Sequence, residues 1–170
     1  TLKSFGQHEW NCIRFKILGA IRQESVAYAK RIGADYFVAD CDNMIAPFTL
    51  SAMVSLRTLG VVAPMLDSKT AYSNYHYTVD ANGYFANSEM YRSLRYRGVK
   101  GMVEVAVVHC TYYVAHECLD SVCYDDGTGR YEYVIFSDGL RKKGVPQFLD
   151  NRRRYGFVSF AENRDDFLAD

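Results

Sequence analysis

Asp35-Tyr36-Phe37-Val38-Ala39-Asp40-Cys41-Asp42-Asn43 is the stretch on which the reading of the fold turns. Its centre, Tyr36-Phe37-Val38-Ala39, is a short apolar run without alternation. Such a run predicts a strand buried on both faces, typical of a parallel sheet. Upstream, Ile13, Ile17, Ala20, Ile21, Ala27, Tyr28 and Ile32 recur mostly at three- and four-residue steps. That spacing predicts one long helix over residues 9–32, with these side chains along one broad face. Gly33 follows, where a helix C-terminus favours glycine. Downstream, Pro47 and Thr49 open a second helix over residues 50–59, closed by Gly60. Val61-Val62-Ala63-Pro64-Met65-Leu66 reads as the next strand. The order helix, strand, helix, strand is the alternating pattern of an α/β fold.

Further out the pattern changes. Residues 72–96 are rich in Tyr, Asn and Ser, with turn signals at Asp80-Ala81-Asn82-Gly83. They predict short strands and loops over one end of the sheet. Residues 102–108 and 112–115 read as strands, and residues 124–129 as a turn or loop. Residues 132–143 fit a third helix, followed by Gly144. Residues 145–149 fit a last strand, which Pro146 confines to an edge or a strand start. Residues 151–160 form a basic, aromatic segment, and the acidic tail to Asp170 reads as surface. There is no internal repeat.

The bulk numbers narrow the function. A length of 170 residues fits one domain, 1–170. Apolar residues at 49% and charged residues at 24% are ordinary globular composition. Lys plus Arg is 20 and Asp plus Glu is 20, so the chain lacks the basic excess of a broad nucleic-acid footprint. None of the five cysteines forms a C-x-x-C pair, which argues against a zinc cluster and for reduced, buried thiols. One bridge among Cys110, Cys118 and Cys123 stays open. The 14 Tyr and 10 Phe suit either pocket linings or half-buried packing with wet hydroxyls. No stretch has the length of a transmembrane segment. The first residues do not read as a signal peptide, and without an initiator Met the chain reads as a fragment of something longer.

The chemistry concentrates at Asp40 and Asp42. In open α/β sheets ligands bind beyond the carboxyl ends of the strands, where this pair lies. Two carboxylates one residue apart repel unless a cation sits between them. Oxygen-only ligands suit Mn²⁺ or Mg²⁺, and diphosphate oxygens can complete the shell. The bland reading is turn chemistry, which also suits Asn43. Cys41 reads as an inward-packed thiol, because neighbouring carboxylates raise its pKa. A haloacid-dehalogenase-type phosphotransferase also places D-x-D after a buried strand, but usually on its first strand and with Thr or Val where this chain has Met44.

From Arg22-Gln23 through Asp40-Cys41-Asp42-Asn43 the chain resembles the collagen glycosyltransferases. These are the procollagen galactosyltransferases and the glycosyltransferase domain of lysyl hydroxylases, related to lipopolysaccharide glycosyltransferases. The likeness continues through Val61-Val62-Ala63-Pro64-Met65-Leu66-Asp67-Ser68 and Tyr72-Ser73-Asn74-Tyr75. Further blocks are Asn82-Gly83-Tyr84-Phe85, Ser88-Glu89-Met90-Tyr91, Val108-His109-Cys110-Thr111 and Asn151-Arg152-Arg153-Arg154-Tyr155-Gly156. They run in family order over most of residues 14 to 158.

The resemblance implies a GT-A-like, Rossmann-like fold, α/β with a mixed, mainly parallel sheet flanked by helices. It implies transfer of galactose or glucose from a UDP-sugar, UDP-galactose or UDP-glucose, to a protein or glycan acceptor, with Mn²⁺ (or Mg²⁺) at the acidic motif. By position, Asp40 and Asp42 become metal and diphosphate ligands, with Asn43 able to orient a ligand. Asp67, Ser68, Ser73 and Asn74 become parts of a sugar and acceptor pocket, and Glu132 a sugar ligand or a base. Where the family carries a metal-ligating His, this chain has Arg153, which cannot ligate a metal but can pair with diphosphate oxygens. His109 is the candidate substitute ligand. Family domains also begin with a strand and helix that help hold the uridine, and little of that stands ahead of Glu9. An endoplasmic-reticulum lumen location is implied if the chain follows the eukaryotic members, and the cytoplasm otherwise. The contrasting expectation is a glycosyltransferase-like module that binds nucleotide-sugar without turnover.

Overall fold

The computed structural model describes residues 11–68 and 72–159. The chain opens with helix α1, Cys12–Ile32, then strand β1, Tyr36–Ala39, strand β2, Asn43–Ile45, and helix α2, Thr49–Val54. A 3-10 turn, Arg57–Leu59, leads into β3, Val61–Pro64. Short strands follow: β4, Tyr75–His76; β5, Thr78–Val79; and β6, Phe85–Ala86. Helix α3, Glu89–Arg95, precedes β7, Met102–Glu104, β8, Val107–Val108, and β9, Thr111–Val114. A 3-10 segment, His116–Ser121, leads to helix α4, Glu132–Lys142, then β10, Gln147–Asp150, and β11, Gly156–Val158.

The α/β expectation holds. Among the described residues the central sheet has the order β1-β9-β3-β10-β7. β9 runs antiparallel to both β1 and β3, β10 is parallel to β3, and β7 is antiparallel to β10. Strands β1, β3 and β10 therefore share one direction. Because β9 inserts between β1 and β3, only the β3–β10 ladder is itself parallel.

The sheet is covered on both faces, and alternation along its strands divides the core. Val61, Ala63, Tyr112 and Val114 join Val26 and Ala29 of α1 and Phe136 and Leu140 of α4. Val62 and Tyr113 join Met53 of α2 with Tyr155 and Val158 on the opposite face. Tyr hydroxyls inside this core are bonded internally, not wet: Tyr112 and Tyr124 pair at 2.5 Å, and the Tyr155 Oη donates to Asp150. A stack of Tyr112, Phe136 and Tyr124 joins sheet to helix.

Several expectations need correction. The helix predicted over residues 9–32 is present as Cys12–Ile32; residues 9 and 10 lie outside the described residues. Asn11 caps it, accepting from the Ile13 and Arg14 amides, and Gly33 ends it in the left-handed conformation. Its apolar row, however, faces outward. Ile13, Ile17, Ile21, Tyr28 and Ile32 are exposed, while Phe15, Gly19, Arg22, Val26 and Ala29 are buried. The reason is close approach. A Cβ on Gly19 would stand 3.1 Å from the Tyr124 carbonyl and 3.3 Å from the Glu132 Cβ, so the helix presents its smallest residue to α4.

β1 is an edge strand and is only partly buried, because a sheet neighbour covers one side alone. Pro146 does mark a strand start, but β10 is interior. Residues 72–96 contain helix α3 as well as the expected short strands; Ser88 caps it by accepting from the Tyr91 amide. No helix among the described residues is long and apolar enough to cross a membrane.

Candidate functional site

The D-x-D stretch is a tight turn at the carboxyl end of β1. The Asp40 amide donates to the Cys110 carbonyl at 2.8 Å, and the Asn43 amide donates back to the Asp40 carbonyl at 3.0 Å. Both carboxylates thus project from one turn, with Cys41 between them exposed on its rim, not packed inward. Asn43 is buried, and its Nδ2 donates to the Thr111 hydroxyl at 2.7 Å. β2 then pairs with β11, aligning Asn43 with Val158. The Ser159 amide donates to the Asp42 carbonyl and the Val158 amide to the Asp67 carbonyl, both at 2.8 Å. Asp42 and Asp67 are thereby gathered along one rim of the sheet.

Beneath the turn lies a buried ion-pair chain. Arg22, 4% exposed, donates through Nη2 to Asp40 Oδ1 at 2.7 Å and through Nη1 to Glu132 Oε1 at 2.6 Å. The other Glu132 oxygen is buried without a hydrogen-bond partner. Burial raises the proton affinity of Glu132, against the pull of the Arg22 charge. Partial desolvation at the turn, and then the neighbouring Asp40 charge, also raises that of Asp42, although its side chain is exposed. Among the described residues no three His, Cys, Asp or Glu side chains cluster closely enough to hold a metal by themselves. His109 is therefore not gathered with Asp40 and Asp42 into a three-ligand set.

His109 instead sits beside the turn in an aromatic pocket. Its Nδ1 lies 2.9 Å from Cys110 Sγ and 3.3 Å from the Tyr72 hydroxyl, which is 2.8 Å from the same sulfur. Cys110 is buried with φ at 63°, a conformation a side chain seldom adopts, and burial raises its thiol pKa. Tyr133, next to Glu132, packs its ring 4.8 Å from that of His109.

The remaining sequence-derived candidates are placed as follows. Asp67 holds Arg97 through Oδ1 at 2.9 Å and Arg154 through Oδ2 at 2.8 Å. The Ser68 carbonyl accepts from Arg95. Ser73 donates to the Tyr75 carbonyl and accepts from the Tyr91 hydroxyl. Asn74 is fully buried, donating to the Pro64 carbonyl and accepting from the Leu66 amide, which makes it a brace between β3 and β4. The Arg153 side chain is exposed with no hydrogen-bond or ion-pair partner among the described residues, while its carbonyl accepts from Arg97. Of its neighbours, Arg152 pairs with Asp150 and Arg154 with Asp67.

The N-terminal domain model of glycosyltransferase family 25 matches residues 2–170. The chain belongs to glycosyltransferase family 25. Curated relatives include the probable inactive glycosyltransferase 25 family member 3 of Rattus norvegicus, 36% identical over 65% of this chain. Procollagen galactosyltransferase 1-A of Xenopus laevis is 34% identical over 64% of the chain, and procollagen galactosyltransferase 1 of Danio rerio 32% over 62%. These stretches make up 19%, 18% and 18% of the respective relatives, so the chain spans about a fifth of their length. In this family-25 domain, sequence reasoning missed Arg22, His76, Tyr72 and Tyr133. For Arg22 a signal existed: Phe15, Gly19, Arg22, Val26 and Ala29 follow a strict four-three-four-three spacing, which marks one helix face.

Proposed function

We propose that this domain transfers a hexose, galactose or glucose, from a UDP-sugar to an acceptor hydroxyl. The observation that carries the reading is the paired carboxylates of Asp40 and Asp42 on one turn at the carboxyl end of β1, in a family-25 domain. Their donor set is hard oxygen only, which fits Mn²⁺ or Mg²⁺ completed by diphosphate oxygens. When bound, such a cation stabilises charge on the departing nucleotide diphosphate. In the transfer the acceptor oxygen bonds to the sugar's anomeric carbon, and the bond from that carbon to UDP breaks with its electron pair leaving on UDP. The acceptor proton goes to a carboxylate. Glu132 suits that role, since one of its oxygens is unpartnered and burial favours its protonated form. Arg22 holds Glu132 and Asp40 in register. Exposed Arg153 carries a planar donor fork of the kind that pairs with diphosphate oxygens.

The test is UDP-galactose and UDP-glucose hydrolysis, and transfer to a collagen peptide, with and without Mn²⁺. The expected result is metal-dependent turnover that Asp42→Ala abolishes while the melting temperature stays put, because Asp42 is exposed and its carboxylate supports no core contact. Wild-type turnover in that variant overturns the reading.

A second reading is a domain that binds nucleotide-sugar without turnover. It is favoured by Asp40 already being paired with Arg22, and by relatives named inactive. Metal-dependent UDP-sugar binding with no product selects it.

A further inference from the structure

Arg22 meets the acidic turn from beneath, and the helix that carries it fixes where its charge sits. Gly19, one turn earlier in α1, packs against the Tyr124 carbonyl and the Glu132 Cβ, so α1 and α4 approach closely at this level. The guanidinium enters that junction and is 4% exposed. Its two arms are divided between two carboxylates, with Nη1 donating to Glu132 Oε1 at 2.6 Å and Nη2 to Asp40 Oδ1 at 2.7 Å. A planar fork sets both contacts at once.

The two carboxylates of the turn are therefore unequal. Arg22 occupies one oxygen of Asp40 and answers part of its charge. Asp40 Oδ2 has no hydrogen-bond partner among the described residues, and the side chain is 32% exposed, so Oδ2 is the oxygen open to a ligand. No cationic side chain pairs with Asp42 among the described residues. A divalent cation at this turn thus meets one carboxylate unanswered and one shared with a guanidinium.

A guanidinium in contact with a ligand acts on such a cation in two opposed ways. It holds the carboxylate still, which lowers the ordering cost of binding. For one short side chain that gain is about threefold in affinity. It also repels the cation across a few ångströms. For a unit charge and a divalent ion that repulsion corresponds to about tenfold or more, even at the dielectric constant of water. Repulsion wins. Glu132 limits it, because its buried carboxylate answers the same guanidinium from the other side.

We propose that Arg22 and Glu132 set how tightly the turn holds a divalent cation, Arg22 weakening the hold through Asp40 and Glu132 restoring part of it. Arg22 is in this sense a positioning residue, acting through a ligand and not on the cation directly. That Asp40 and Asp42 take a cation at all rests on the transfer reading above.

The test is Mn²⁺ binding to the whole chain at mildly alkaline pH, with and without UDP, read from the electron paramagnetic resonance signal of the free ion. Arg22→Gln is expected to tighten binding of Mn²⁺ alone by about tenfold, and Glu132→Gln to weaken it by about threefold or more. Opposite signs are the signature, since loss of structure weakens binding in both. Melting curves verify that each variant is folded; should Arg22→Gln not fold, Glu132→Gln decides alone. Equal or weaker binding in folded Arg22→Gln, or equal or tighter binding in Glu132→Gln, overturns the proposal. If Asp42→Asn abolishes Mn²⁺ uptake but these two variants match the native chain, only the role of Arg22 and Glu132 falls. If the native chain takes up no Mn²⁺ with or without UDP, the metal-assisted transfer reading falls as well.

Discussion

Arg22 is the residue on which the site's electrostatics depend. A guanidinium removed from water is stable only with its charge answered, and here Asp40 and Glu132 answer it from two different elements. Its planar fork serves two carboxylates at once, which an ammonium on a flexible stem does less well. Replacing it by Met keeps the length and deletes the charge. Arg22→Met is expected to cost roughly 3–5 kcal/mol in urea unfolding at neutral pH, because Glu132 is left buried and unpaired. The loss carries a pH signature. Without Arg22 the folded-state pKa of Glu132 rises further above its unfolded value, so the stability it allows is present below the unfolded value and lost as pH rises through the folded one. The gap to wild type should therefore narrow as pH falls. A gap that is constant with pH points to lost packing instead of lost charge. A double-mutant cycle with Glu132→Gln measures the coupling directly.

At the scale of elements, the pairing of β2 with β11 sets the rim on which Asp42 and Asp67 meet. Gly156 makes that pairing possible. Its φ is 139°, and a Cβ there would collide with the Met44 carbonyl and the Ile45 Cα. Gly156→Ala is expected to destabilise by roughly 1–3 kcal/mol from backbone strain alone, and to loosen the protection of the Val158 and Ser159 amides in hydrogen exchange. Unchanged protection argues against this role. The elements were legible in the sequence to differing degrees. β1, β3 and α4 follow from apolar runs and helical spacing, since local pattern decides them. The buried face of α1 was not legible from its isoleucines, because close packing at Gly19 and a buried charge at Arg22 outweighed hydrophobicity. Helix α3 was hidden in a segment rich in Tyr, Asn and Ser, whose turn signals masked the Ser88 cap. The D-x-D turn was visible from two residues, but the arginine beneath it stands 18 positions from Asp40 and 110 from Glu132 in sequence. Contacts at such separation leave no local trace.

For the whole molecule, the sheet grows outward from β3, which is buried throughout, and its flank toward α1 is the less finished one. Among the described residues β1 pairs with β9 alone, so its other side keeps unpaired backbone groups. Next to it, Ile21, Tyr28, Ile32, Tyr36 and Phe37 line a broad open groove. Strand edges recruit strands, and oily surface recruits oily surface. Purified alone at rising concentration, this polypeptide should scatter light and broaden in sedimentation. Putting lysines at Ile21 and Ile32 should restore a sharp monomer boundary at little cost to thermal stability, since both positions already face water.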